Sequence, residues 1–346
     1  MKRLSITLFI AFFCALNISA QNNRNFGVFS VAFYNVENLF DYEDDPDNPG
    51  DDDFTPTGAY NWTPAKYERK LDNLARVISR LGREHTPMGP AIIGVAEVEN
   101  RRVLEDLVAR PAIENMGLSI VHKDSRDRRG IDVAFLYNPR LFTLDNYRLQ
   151  PVEDPENPRW VTREIMVMSG FLAGERVHTM VAHWPSRRGG ISSDRLRELA
   201  AKAVIQVIDS ISAIESNPKI IFMGDLNDDP GDRSIAVVLN AKRHQREVEP
   251  GGFFNPFWNM HAQGLGTLVF QGRWNLFDQI MVSYPFLGDD FSSLKFWRAE
   301  IFNRDFLVQQ TGRNRGVPHR SFEGNTWIDG YSDHFPVLIY LIREVQ

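Results

Sequence analysis

Short apolar runs rich in β-branched residues recur along this chain, and nearly every one meets a polar residue able to do chemistry at one end. The runs cover 28–34, 91–96, 133–137, 165–171, 177–182, 220–223, 280–283 and 337–342. Each is four to seven residues long and bounded by Gly, Pro, Asn or Asp, the pattern of buried strands. Apolar residues at helical spacing lie between them. Leu71, Leu74, Ile78 and Leu81 share one face, with Thr63 as cap and Pro64 as first helical residue. Leu196, Leu199, Ala203, Val207 and Ile211 form a second stripe, with Ser193 or Asp194 as cap. Leu104, Leu107 and Val108 predict a shorter helix. Strands and helices mixed in this way make an α/β or α+β domain.

Asn35 and Glu37 follow the first run, Glu97 and Glu99 the second, His183 the run 177–182, and Asp225 and Asn227 the run 220–223. Asp278 stands just before 280–283, and Asp333-His334 just before 337–342. Strand ends are where a rigid scaffold holds the loops that do chemistry. If these ends converge, they build a carboxylate-rich pocket with two histidines. An anion beside a group that moves protons near neutral pH, as in Asp333-His334, suits metal-assisted hydrolysis.

With 346 residues and 43% apolar content the chain can bury a sizeable core. No stretch reads as a linker and no repeat is present, so residues 21–346 are expected to form one domain. Residues 1–20 have a basic start at Lys2 and Arg3, an apolar stretch over 4–16 and a small-residue cleavage site at Ile18-Ser19-Ala20. That is a secretory signal peptide, too short for a stable membrane anchor, and it predicts export to the periplasm or the exterior. The only cysteine, Cys14, lies inside this leader without the flanking residues of a lipoprotein signal. The mature chain therefore has no disulfide and no thiolate metal site. Without Lys2 and Arg3 the 39 basic residues fall to 37 against 45 acidic ones, a net charge of −8. This argues against nonspecific coating of nucleic acid, but not against an enzyme that cuts a phosphodiester, since charge at the cleft decides that. No obligate protein partner is evident.

Six motifs carry a family likeness: Asn35-Val36-Glu37-Asn38, Val95-Ala96-Glu97-Val98, Ala182-His183-Trp184-Pro185, Gly224-Asp225-Leu226-Asn227, Phe277-Asp278-Gln279-Ile280 and Ser332-Asp333-His334-Phe335-Pro336. Together, and in this order, they resemble the endonuclease/exonuclease/phosphatase superfamily, which includes pancreatic deoxyribonuclease, abasic-site endonucleases, sphingomyelinases and inositol-polyphosphate phosphatases. The resemblance implies an α+β fold: a four-layer α/β/β/α sandwich of two mixed β-sheets flanked by helices, with the site at one edge.

It also implies roles. Glu97 is the candidate metal ligand, a hard carboxylate suited to Mg²⁺, with Mn²⁺ as the substitute. Asn35 and Asp333 are expected beside the metal, although both residue types also form turns. His334 is the candidate general base and Asp278 its orienting carboxylate. His183 would bind or protonate phosphate oxygens, with Asp132 as its candidate orienter. Asp225 and Asn227 would position the attacking water and the phosphate. Whether Asp225 or His334 takes the water's proton stays open.

Arg187 and Arg188 follow His183 closely enough to reach a phosphate, and Arg163 resembles a substrate-contacting position. Arg126, Arg128 and Arg129 form a second basic loop. Phe270 and Trp274 could stack on a base or pack in the core. The acidic stretch 41–53 fails the EF-hand template, because Pro49 and Pro56 occupy ligand positions, and reads as a solvated loop. Where pancreatic deoxyribonuclease has an Arg two residues after the metal Glu, this chain has Glu99, which is expected to add negative charge at the cleft. The expectation is an exported Mg²⁺-dependent phosphoesterase acting on DNA or RNA. A phosphatase or phospholipase-like enzyme is the alternative, and an inactive binding module of the same fold a third reading.

Overall fold

The computed structural model describes residues 24–345 other than 47; the segment 1–20, read above as a leader, lies outside the described residues. In chain order the first half contains β1 (Asn25–Leu39), α1 (Pro64–Ile78), β2 (Ile92–Val98), α2 (Arg101–Val108), β3 (Ser119–Val121), β4 (Asp132–Tyr137), β5 (Phe142–Gln150), β6 (Ile165–Leu172) and β7 (Glu175–His183). Then come α3 (Ile191–Ser212), β8 (Ile220–Asp225), β9 (Phe253–Phe254), α4 (Phe257–Ala262), the hairpin β10 (Leu268–Phe270) and β11 (Arg273–Asn275), and β12 (Asp278–Ser283). The chain closes with β13 (Lys295–Ile301), the small hairpin β14 (Phe322–Glu323) and β15 (Thr326–Trp327), and β16 (Val337–Val345).

Two six-stranded mixed sheets hold the fold, in the orders β13-β16-β1-β2-β4-β3 and β5-β6-β7-β8-β12-β9. Among the described residues, the only parallel neighbours within them are β1 with β2 and β7 with β8. The eight runs read from the sequence are the eight inner strands. β3, β5, β9 and β13, which the runs did not include, are the four edges.

Alternation along the strands sets the layers. On β8, Ile221 and Met223 join the core between the sheets, while Ile220 and Phe222 face the other way. There they pack with Ala200, Ala201, Val204, Val207 and Ile211 of α3. On the far side Leu71, Leu74 and Ile78 of α1 cover the first sheet. The α/β/β/α order follows. The sheets meet closely at Gly94, where an added Cβ would stand 2.6 Å from Met223 Sδ.

The helices begin where their chemistry dictates, with one difference. Thr63 caps α1 by accepting the Lys66 N–H, and Asn100 caps α2 through the Val103 N–H. The long helix starts at Ile191, earlier than Ser193 or Asp194, because Gly190 closes the preceding turn at φ 61°. Ser193 is then already helical, and its hydroxyl donates back to the Gly190 carbonyl.

Candidate active site

Strand polarity brings the motif residues together. β1 and β2 run parallel and end at one edge, and antiparallel β16 starts there. In the second sheet β7 and β8 end where β12 begins, so His183 pairs in register with Asp225, and Asp225 with Asp278. Both sheets therefore deliver their polar ends to one side of the sandwich.

The ends of β1 and β2 are irregular, with register shifts between Asn35 and Leu39 and between Ala96 and Val98. Glu37, Asn38 and Glu97 take positive φ values of 52°, 51° and 64°. Such backbone costs about 1–3 kcal/mol per residue and persists where surrounding contacts enforce it, often at functional sites. Here the Asn38 N–H donates to Glu97 Oε2 at 3.0 Å, and the Glu37 N–H to Asn35 Oδ1 at 3.0 Å. The bulges thus aim Glu97 and Asn35 into the cleft.

Asp225 is the centre of the cluster. Its Oδ2 accepts from Asn35 Nδ2 at 3.0 Å and lies 3.6 Å from His183 Nε2 and 3.8 Å from His334 Nε2. Its Oδ1 accepts the Asn227 N–H at 3.0 Å. Asn227, at φ 50°, donates its amide to the Trp184 carbonyl. His334 Nδ1 shares a 2.7 Å hydrogen bond with Asp278 Oδ2, which leaves Nε2 facing the cleft. The Ser332 hydroxyl donates to the Asn35 carbonyl and accepts the His334 N–H, tying the last motif to the first. Two buried atoms of the cluster have no partner within the protein: Asp278 Oδ1 and His183 Nδ1.

Burial opposes a charge on His334. The charge and hydrogen bond of Asp278, with Asp225 and Asp333 behind them, outweigh it and hold His334 well above its ordinary value. His183 goes the other way: burial, then Arg163 and Arg129, press it well below its ordinary value. Burial lifts Asp225 to about 7 against the opposing pull of His334. The cluster thus sets a charged imidazole, a neutral one and a carboxylate near its titration point around one space, the separation of roles that acid–base chemistry uses.

A divalent cation fits the residues on the β1–β2 side. All donors there are oxygens: the Glu97 carboxylate, whose Oε1 is 3.9 Å from His183 Nε2, the Asn35 amide oxygen, and Asp333 Oδ1, 3.9 Å from His334 Nε2. A hard oxygen set without thiolate selects Mg²⁺-like ions over soft metals. Asp225, Asp278 and His334 also offer ligand atoms within 4.8 Å of one another.

Four expectations are corrected. Asp132 does not orient His183: its oxygens accept from Ser125 N–H at 2.9 Å and meet His122 Nε2 at 2.9 Å, while His183 Nδ1 stays unpaired. Arg163 is buried and donates to the carbonyls of His183 and Trp184 and to Asp127, so it braces the His183 turn from inside. Arg187 lies over the Phe277 ring, donates to the Asn227 carbonyl and pairs with Asp228, Asp229 and Asp232. Glu99 adds little negative charge at neutral pH, because burial, against the Asp41 N–H it accepts, pushes its carboxyl up to about 8. Among the described residues, the Arg188 side chain has no partner, and its backbone N–H donates to the Ser186 hydroxyl.

Two residues at the cleft were not foreseen. Arg320 donates to Glu37 at 3.2 Å and to Asp333 at 3.0 Å, bridging the end of β1 and the last motif. Lys70 is buried beneath it, donating to Ser321 Oγ and the Tyr331 carbonyl, 3.9 Å from Glu37. Burial pushes Glu37 up and Lys70 down. Lys70 left one signal in the sequence, a charge four residues before Leu74 on the apolar face. Arg320 left none, since it stands in no motif.

Hollows flank the cluster on both sides. A polar cleft of about 1020 Å³ runs past Arg187, Asp229, His261, Phe270, Arg273 and Trp274. Trp274 keeps 39% of its surface exposed and stacks on Phe335, next to His334. On the other side Phe54, Tyr60, Trp62 and Phe322 line a hollow of about 250 Å³ with Glu37 and Arg320 at its base.

The sequence of residues 30–343 matches the family described as Endonuclease/Exonuclease/phosphatase family. No curated protein sequence matches the chain. Among solved structures, a protein of that family from Bacteroides thetaiotaomicron is similar at 16% identity, 93% of this chain and 97% of its own, with a TM-score of 0.55. A mannosyl-6-phosphatase of the same organism is similar at 16% identity, over 90% and 99%, with a TM-score of 0.54. D. rerio TDP2 in complex with a single-strand DNA product is similar at 12% identity, over 91% and 98%, with a TM-score of 0.52. At these identities the likeness is one of fold.

Proposed function

This chain belongs to the endonuclease/exonuclease/phosphatase family of phosphoester hydrolases, and on that premise we propose that it is an exported, Mg²⁺-dependent phosphodiesterase acting on nucleic acid. The observation that carries the hydrolase reading is the convergence on Asp225 Oδ2 of Asn35 and both imidazole Nε2 atoms, with Glu97 alongside. In this reading Glu97, Asn35 and Asp333 hold the cation, which when bound supplies Lewis-acid charge to the phosphoryl oxygens.

The protein's own groups do the rest. A water oxygen bonds to phosphorus as the bond to the leaving oxygen breaks; the water's proton passes to Asp225, and the leaving oxygen takes the bonding pair and a proton from solvent to depart as a hydroxyl. Three carboxylates, Asp278, Asp225 and Asp333, surround the His334 ring within 2.7–3.9 Å and favour its charged form. That makes Asp225 the better proton acceptor and His334 a cationic donor to the phosphoryl group, with Asp278 fixing its tautomer. Neutral His183 donates from Nε2 to a phosphate oxygen, and Asn227 holds the turn behind it. Fixed donors in a buried site supply the dominant share of the rate.

Nucleic acid is favoured by the part-exposed Trp274, which stacks on Phe335, the residue after His334, and lines the cleft of about 1020 Å³ as a stacking platform. The DNA product bound by D. rerio TDP2 is consistent with this. A second reading, a phosphatase on a small ring-bearing phosphate, is favoured by the aromatic hollow above Arg320 and by the mannosyl-6-phosphatase of similar fold. A substrate panel with Mg²⁺ against EDTA decides between them: plasmid DNA, single-stranded DNA, RNA, bis-p-nitrophenyl phosphate, a hexose 6-phosphate, an inositol phosphate and sphingomyelin. Cleavage of the polymers supports the first reading, and cleavage of monoesters alone the second. Turnover of none overturns both and leaves the binding module. Fractionation of cells carrying the full chain tests export.

A further inference from the structure

Three carboxylates gather outside the six motifs, in the loop between β1 and α1. One oxygen each of Asp44, Asp51 and Asp52 lies within 4.8 Å of the other two. Asp44 and Asp52 are exposed, whereas Asp51 is 2% exposed. Asp51 Oδ2 accepts the Asp45 N–H at 2.9 Å, but Asp51 Oδ1 is sealed from solvent and, among the described residues, meets no donor from another residue. Among the described residues no Lys, Arg or His forms an ion pair with any of the three. Arg102, which reaches this loop, pairs with Asp41 and Glu43 instead.

A carboxylate oxygen held out of water, beside like charges and without a donor, is costly unless a cation completes it. We propose that Asp44, Asp51 and Asp52 form a Ca²⁺ site separate from the site at Glu97 and His334. All three donors are oxygens, on a loop whose regular geometry here is the single 3-10 turn Asp52–Phe54, which suits the adaptable six to eight oxygen ligands of Ca²⁺ better than the strict octahedron of Mg²⁺. Asp44 and Asp52 also line an open hollow of about 420 Å³ with Tyr42 and Thr55, where water can fill the remaining positions. This is not an EF-hand, since Pro49 and Pro56 break that template; the ligands come from the start and the middle of the loop. The ion clamps the turn that starts at Asp51, whose carbonyl accepts the Phe54 N–H. Phe54 stacks on Phe40 and walls the aromatic hollow beside Arg320, so the ion secures a wall of the cleft from behind.

The test uses the whole mature chain, with Tb³⁺ as luminescent probe excited through Tyr42 and with melting temperature read against Ca²⁺ and Mg²⁺. The expected result is saturable Tb³⁺ emission displaced by Ca²⁺, and a rise in melting temperature with Ca²⁺ that an equal concentration of Mg²⁺ does not match. Asp51→Asn and the exposed Asp52→Asn should each weaken the apparent Ca²⁺ affinity about 10-fold or more, as expected on losing a charged ligand. Glu97→Gln should leave it unchanged. Without Ca²⁺, Asp51→Asn should melt no lower than the unsubstituted protein, because it removes a buried charge. A Ca²⁺ response absent from the unsubstituted protein, equal for Mg²⁺, or retained in Asp51→Asn and Asp52→Asn overturns the proposal.

Discussion

Replacing Glu99 by Gln should make the protein more stable, by an amount that grows with pH. The side chain is 8% exposed, and its one partner is the Asp41 N–H at 2.8 Å, which a Gln carbonyl can also accept. Burial, opposed by that hydrogen bond and reinforced by the charges of Asp41, Asp51 and Asp45, lifts its carboxyl from the ordinary 4.5 to about 8. The folded protein therefore holds a proton that the unfolded chain has already released. Stability falls as pH rises from 4.5 through 8, and the loss is complete above that window. At about 1.36 kcal/mol per pH unit, the loss is roughly 3 kcal/mol at pH 7 and roughly 5 kcal/mol at pH 9. The neutral amide of the variant carries no such penalty. With an unfolding entropy of roughly 2 cal/mol/K per residue over residues 24–345, Glu99→Gln should melt about 4 °C higher at pH 7 and about 7 °C higher at pH 9. At pH 5 the gap should shrink to about 1 kcal/mol or less. Calorimetry of both proteins in EDTA across this range measures it. A difference that does not change with pH, or a variant that melts lower at pH 9, refutes the assignment of a neutral Glu99.

Other expectations concern turnover. Glu97→Ala and His334→Ala should each lower kcat by about 10²-fold or more, the scale of losing one electrostatic or acid–base element; near-unchanged phosphodiesterase rates in either would sink the site. Asp278→Asn keeps the shape but removes the charge that supports His334, so the imidazole pKa read by NMR should fall and kcat should drop by about 10²-fold or more with KM little changed. Trp274→Ala should raise KM for single-stranded DNA by roughly 10-fold, the worth of one stacked base, and leave bis-p-nitrophenyl phosphate untouched; equal effects on both substrates would make Trp274 a packing residue. Because Arg163 and Arg187 are spent inside the protein, kcat/KM on single-stranded DNA should fall with salt at a log–log slope no steeper than about −2, as for two or three phosphate contacts.

What the sequence disclosed, and what it hid, divides along a physical line. The inner strands were legible because both faces are covered, one by the opposite sheet and one by helices. Their residues are then apolar in unbroken runs, as in 337–342 or 220–223. An edge strand keeps an exposed side, and β13 and β5 accordingly carry Arg298 and Glu300, or Asp145, Asn146 and Arg148, which break any apolar run. The same contrast governs the site. Asn35, Glu97, His183, Asp225, Asp278 and His334 are fixed to strand ends, so their neighbours in space follow from strand order and their sequence positions suffice to gather them. An arginine is long, and its partners are chosen by tertiary contact rather than by neighbours in the chain. Arg187 stands four residues after His183, yet it turns to the acids of 228–232. Arg163 finds Asp127, and Arg320 finds Glu37 across 283 positions. For Arg163 and Arg187, proximity to a motif was therefore the wrong guide to a cation free for phosphate. In a chain with an acidic excess, an arginine near the cleft meets a carboxylate before it meets a substrate. Arg320 differs because the carboxylates it bridges, Glu37 and Asp333, belong to the motifs themselves, and Asp333 is a proposed cation ligand. If a cation were held there by Asp333, it would compete with Arg320 for that carboxylate and leave a guanidinium donor for a phosphate.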